Sequence, residues 1–83
     1  MKFYKVTHYA VQVKYNLPFD LLDNEDFYDM ARAKQDRGVD CFEDEEILPE
    51  HEALALDGKI FVDNNFPCNH IATVSWSYIT SEA

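Results

Sequence analysis

The stretch Asp20–Asp57, DLLDNEDFYDMARAKQDRGVDCFEDEEILPEHEALALD, holds fourteen of the chain's sixteen carboxylates but only Arg32, Lys34 and Arg37 of its seven lysines and arginines. Residues 1–19 carry three lysines and no carboxylate, and residues 58–83 carry Lys59, Asp63 and Glu82. Both flanks read as β-structure. The chain is therefore expected to be a small sheet interrupted by a carboxylate-rich excursion, and reading that excursion decides the fold.

Its first half predicts a helix. In Leu22-Asp23-Asn24-Glu25-Asp26-Phe27, Asp23 is placed as N-cap with acid in the first turn, and Leu22 and Phe27 are spaced as a hydrophobic staple. Phe27, Met30 and Ala31 form an apolar face, with Glu25, Asp29, Arg32 and Asp36 opposite. At the far end, Gly38 can take the left-handed conformation after Arg37 while Val39 packs back. The helix is expected over about Asn24–Arg37. The second half, Asp40–Pro49, has no clean period. Its charges fall on both faces of any strand, as on an exposed edge or an arm. Glu50–Leu56 reads as a short helical turn or a strand, with Leu54 and Leu56 favouring the strand.

Outward from this stretch, Phe3–Tyr15 is rich in aromatic and β-branched residues. Tyr4, Val6 and His8 alternate on one side, then Tyr9, Val11, Val13 and Tyr15 on the other, which predicts a long strand bulged between His8 and Tyr9. On the C-terminal side, Asp57-Gly58 signals a hairpin between Ala53–Leu56 and Lys59–Val62. A second turn is expected at Asp63-Asn64-Asn65, extending toward Pro67. His70–Thr80 then reads as a strand with Ala72, Val74, Trp76 and Tyr78 on one face. The expected fold is α+β: an antiparallel sheet of about four strands, three of them in a meander, with one main helix packed on one face. Residues 1–83 form a single domain, with the acidic helix and arm at 20–57.

Composition narrows the function. Apolar residues make up 47 % of the chain, with six Phe, five Tyr and one Trp, which argues for a folded core against acidic disorder. A chain this short has little room for a deep pocket. Charged and polar residues interrupt the apolar run of the N-terminus, and no run approaches the ~18 residues of a membrane span. Cys41 and Cys68 match no zinc or redox spacing and read as reduced thiols in a cytoplasmic protein. The net charge of −9 disfavours direct contact with nucleic acid or anionic lipid and favours a basic partner.

No catalytic motif stands out. Among His8, His51, His70, Cys41 and Cys68, only Cys68 and His70 are close in sequence, and zinc sites use two close pairs. Asp57-Gly58 and Asp63-Asn64-Asn65 lack the order of a calcium loop. Carboxylate pairs are too many for any one to be informative, and acid around Cys41 favours its neutral thiol. Gly38 and Gly58, the two glycines, cannot make a phosphate loop. No metal, cofactor or enzymatic activity is expected; a small metal-dependent or thiol enzyme is the third-ranked reading.

The acid itself carries the leading expectation. Glu25, Asp29 and Asp36 share a helix face, on which neighbours three or four residues apart lie ~5–6 Å from each other. An extended Glu43–Glu46 sets alternate carboxylates ~6.5–7 Å apart on each side. Both spacings are comparable to the phosphate repeat of one nucleic-acid strand. A solvated face that keeps a small apolar domain soluble is the plain reading of such a run; crowding like charges opposes folding, however, and selection for stability alone could have spread them out. The expected docking residues are Asp23, Glu25, Asp29, Asp36, Asp40, Phe42, Glu43, Asp44, Glu45, Glu46 and Glu50, with Phe42 and Tyr28 as aromatic anchors. The partner is a basic, nucleic-acid-binding protein. In size, acidity and mixed α+β pattern the sequence resembles the small phage-encoded inhibitors, including DNA mimics that block restriction, repair or CRISPR nucleases. That resemblance rests on composition and on the Asp20–Asp57 cluster, and implies an inhibitor acting in the host cytoplasm. The alternative is a structural or assembly subunit that binds through a sheet edge or aromatic patch.

Overall fold

A computed structural model describes residues 1–38 and 41–83. In chain order it contains β1 (Phe3–Lys14), α1 (Asn24–Asp36), β2 (Cys41–Pro49), α2 (Glu50–Leu56), β3 (Ile60–Phe66) and β4 (Ile71–Glu82), with short 3-10 turns at Phe19–Leu21 and Pro67–Asn69. The strands form one antiparallel sheet in the order β2-β1-β4-β3. The α+β architecture with one main helix is the one expected from the sequence. Two twelve-residue strands at about 3.4 Å per residue account for the 45 Å long axis of the molecule.

α1 starts where local chemistry directs it. The Asp23 carboxylate accepts from the Asp26 N–H at 2.9 Å, and the Asp26 carboxylate accepts from the Asp23 N–H at 3.1 Å, a reciprocal capping box. Leu22 and Phe27 both join the core, as a staple requires. Arg37 caps the helix and Gly38 follows at φ +69°. The expected packing of Val39 lies outside the described residues.

The main core sits between α1 and one sheet face. Tyr9, Val11 and Val13 lie opposite Trp76, Val74 and Ala72 across the β1/β4 ladder, and together with Tyr15 just past the end of β1 they pack with Phe27 and Ala31 of α1. Tyr15 contacts Phe19 and Phe27 edge-on, and Tyr9 stacks on Trp76 at 5.5 Å. Burying a side chain such as Phe27 stabilises by ~1.5–3 kcal/mol before its ordering cost.

The expected bulge at His8/Tyr9 is absent, because β1 pairs in continuous register there with both neighbours. The apolar phase changes for another reason. α1 covers the face of Tyr9, Val11 and Val13, whereas α2 packs near the other end of β1 on the opposite face, where Val6 and Ala53 are fully buried. One strand is thus buried on alternate faces at its two ends. The register shift lies instead between Lys5 and Val6, leaving Thr80 of β4 unpaired; its hydroxyl donates to the Lys5 carbonyl at 3.2 Å.

Three further expectations are corrected. Glu50–Leu56 is helical, with Glu50 and Glu52 in its first turn complementing the helix dipole, and the slightly favoured strand does not form. Asp57-Gly58 ends that helix and makes no hairpin: the Asp57 N–H donates to the Ala53 carbonyl, and Gly58 sits at φ +73°. Asp63-Asn64-Asn65 continues β3 through a register shift before Phe66, and the turn falls at Pro67–Asn69, followed by His70 at φ +54°. Without a strand at Ala53–Leu56 there is no three-stranded meander, and Cys41–Pro49 takes the sheet edge beside β1.

Candidate protein-docking edge

β2 is an edge strand by sheet order, and its register fixes where each carboxylate points. Glu43 and Glu45 lie opposite Tyr9 and Thr7, on the face that α1 covers elsewhere; Asp44 and Glu46 lie opposite His8 and Val6, on the α2 face. All four are exposed. Lys5 pairs with Glu45 at 3.0 Å, and His8 Nε2 lies 3.1 Å from a Glu46 carboxylate oxygen. Exposed pairs of this kind contribute at most about 1 kcal/mol. Among the described residues these are the two ion pairs, and Glu43 and Asp44 have no cationic partner there. Asp44 instead accepts from the Glu45 N–H at 2.9 Å.

His8 has a second role. Its Nδ1 is joined to the Ser77 hydroxyl at 2.7 Å, so Glu46, His8 and Ser77 form a chain across β2, β1 and β4. The residue types are those of an acyl-transfer triad, which must present its serine to substrate beside donors for an oxyanion. Ser77 is 8 % exposed, and its carbonyl accepts from the Gly58 N–H at the end of α2. In this setting the chain fastens the acidic edge to the sheet interior.

The structure divides the other expected docking residues. Glu25, Asp29 and Asp36 lie exposed on the outer side of α1, apart from the β2 edge. Asp23 is engaged as the helix cap, and Glu50 opens α2 with its N–H donating to the Lys2 carbonyl. Asp40 lies outside the described residues. Phe42 is 62 % exposed and packs under no loop. Tyr28 belongs to the interior: it meets Trp76 edge-on, shares a hydrogen bond with the Tyr78 hydroxyl, and accepts from Arg32 at 2.7 Å. The bond to Tyr28, and then burial, hold the Tyr78 proton above the ordinary phenol range.

Several features needed the register to be seen. Phe42, Ala10, Ser75 and Phe61 form one row across all four strands on the α2 face, beyond the end that α2 covers, and both phenylalanines are exposed. Lys14, Lys34 and Arg37 line a cleft of about 440 Å³ with Val13, Met30 and Ala33, which gathers three of the seven cations in a lining that contains no β2 residue. Both cysteines are free, Cys41 packing against the main core and Cys68 lying exposed. Among the described residues, no three histidine, cysteine or carboxylate side chains converge as metal ligands. No helix there is long and apolar enough to cross a membrane.

Compared with known proteins, the chain matches no family model, no curated protein and no solved structure.

Proposed function

We propose that the chain is a non-enzymatic binding module that docks the carboxylates of its β2 edge on a basic, nucleic-acid-binding surface of another protein in the cytoplasm. One observation supports this above the rest: four consecutive exposed carboxylates occupy a sheet edge, project to both faces, and have two ion-pair partners among the described residues. Such a strand presents two rows of negative charge at fixed spacing, and a partner that normally binds phosphates offers matching lysines and arginines. Occupying that surface blocks nucleic acid by sterics and charge, the action of a DNA-mimicking inhibitor of the phage anti-restriction or anti-CRISPR kind. Phe42 beside the carboxylates supplies the apolar contact that charge alone lacks.

The test is capture from host lysate by the wild type and by E43K/D44K/E45K/E46K, at low and high salt. A nucleic-acid-binding protein held only by the wild type, released as salt rises and displaced by duplex DNA or RNA, is the expected result. Partners indifferent to both salt and charge reversal contradict it.

The Phe42–Ala10–Ser75–Phe61 row favours a second reading, assembly through an aromatic sheet face. Association that survives high salt in light scattering and is lost in F42A/F61A would select it.

A further inference from the structure

Glu46 and Leu48 of β2 and Glu52, Ala55 and Leu56 of α2 line a groove of about 350 Å³ on the α2 face of the sheet. That volume is near the lower end of small-ligand clefts, ~300–1,000 Å³, and suits an inserted side chain better than a whole element. Leu48, Ala55 and Leu56 supply the apolar part of its lining, and the exposed Glu46 and Glu52 supply the charged part. The lining holds no cation. Glu52 takes part in no ion pair among the described residues, and Glu46 meets only His8.

A lining that joins apolar side chains to two exposed carboxylates is complementary to one kind of side chain, a cation on an aliphatic stem. The geometry points to this groove as the anchor site for an arginine or lysine of the partner protein, its stem against Leu48, Ala55 and Leu56 and its head between Glu46 and Glu52. Arginine suits two carboxylates better than lysine does, because its planar fork carries several donors and lysine's ammonium is a point charge. This deepens the proposed function and rests on it: the β2 edge attracts a basic surface, and the groove selects one residue of it. Glu52, Ala55 and Leu56 lie outside the Glu43–Glu46 cluster, so the groove can be altered with that cluster intact.

The probe is acetyl-Gly-Arg-Gly-amide, titrated into the full chain and followed through the methyl resonances of Leu48, Ala55 and Leu56 and the amides of Glu43 and Glu45. Its citrulline counterpart and the guanidinium ion alone are compared at matched ionic strength. Saturable methyl shifts are expected with the arginine peptide, with weak response to citrulline, which lacks the charge, and to guanidinium, which lacks the stem. The E52Q chain, with the Glu43–Glu46 cluster intact, should bind about two- to fivefold more weakly, the loss of one exposed charge contact. Ala55→Trp, a change at an exposed helix position that fills the groove, should abolish the shifts of the Leu48 and Leu56 methyls while the Glu43 and Glu45 amides still respond. Equal shifts with guanidinium, or shifts at the Glu43 and Glu45 amides without saturable change in the methyls, overturn the groove and leave the acidic edge as the docking element. Absence of shifts at both overturns the groove, and it counts against the edge as well.

Discussion

The two edge strands of the sheet manage their open sides by different means. β3 breaks its register between Asp63 and Phe66, directs Asn64 inward to accept a 2.7 Å hydrogen bond from the Tyr15 hydroxyl, and has its Ile60 carbonyl met by the Asn24 side chain of α1 at 3.5 Å. It carries one carboxylate, Asp63. β2 has no bulge, pairs in register from Cys41 to Pro49, and carries four adjacent carboxylates. Bulging, covering and charging an edge all discourage unwanted pairing, and a single charge often suffices. The chain therefore has a local solution at β3 that it does not repeat at β2, where the added charge is what the proposed docking on an oppositely charged partner would use.

The largest expected effect tests what the edges share. Phe27→Ala removes a side chain buried beneath α1 and should destabilise the fold by about 3–5 kcal/mol, read as a lower denaturant midpoint, with both edges lost together. An edge that outlasts the core in the same transition would break the comparison.

Next comes the fastening of β2. His8→Ala frees Glu46 and leaves the nearly buried Ser77 hydroxyl without its partner, so a loss of about 1–2 kcal/mol is expected, with amide exchange rising in β2 and little change in β3. Tyr15→Phe is the mirror experiment. It removes the bond to Asn64, should cost about 0.5–1.5 kcal/mol, and should raise exchange in β3 while sparing β2. If either substitution loosened both edges equally, the two would not be independently held.

The smallest effect bears on the cost of the charge. Glu43 has no ion-pair partner among the described residues and Glu45 as its like-charged neighbour on the same face, so Glu43→Gln should stabilise by a few tenths of a kcal/mol at low salt, with the gain vanishing near 1 M salt. A loss of stability on this change would mean that the carboxylate serves the fold.

How much of this was legible in the sequence depended on whether the signal was local. Asp23, Asp26, Leu22, Phe27 and Gly38 define α1 through contacts a few residues apart, and the alternation of Ala72, Val74, Trp76 and Tyr78 marks β4 directly. α2 was obscured because seven residues are too few for a period, although Glu50 and Glu52 ahead of Asp57-Gly58 were usable signals of a helix start and stop. The phase change in β1 arises from two helices on opposite faces, information that no single strand contains. For the site, the carboxylates were visible from composition, whereas their position on an edge followed only from the strand order. The Glu46–His8–Ser77 chain joins residues 38 and 69 positions apart, and the groove depends on how α2 folds back over β2.

The most direct test of the central claim is hydrogen exchange of the free chain against the chain bound to its captured partner. New protection concentrated in the amides of Cys41–Leu48, with β3 unchanged, is the predicted result. Protection confined to the outer face of α1 or to β3, with β2 exchanging as freely as before, would contradict it.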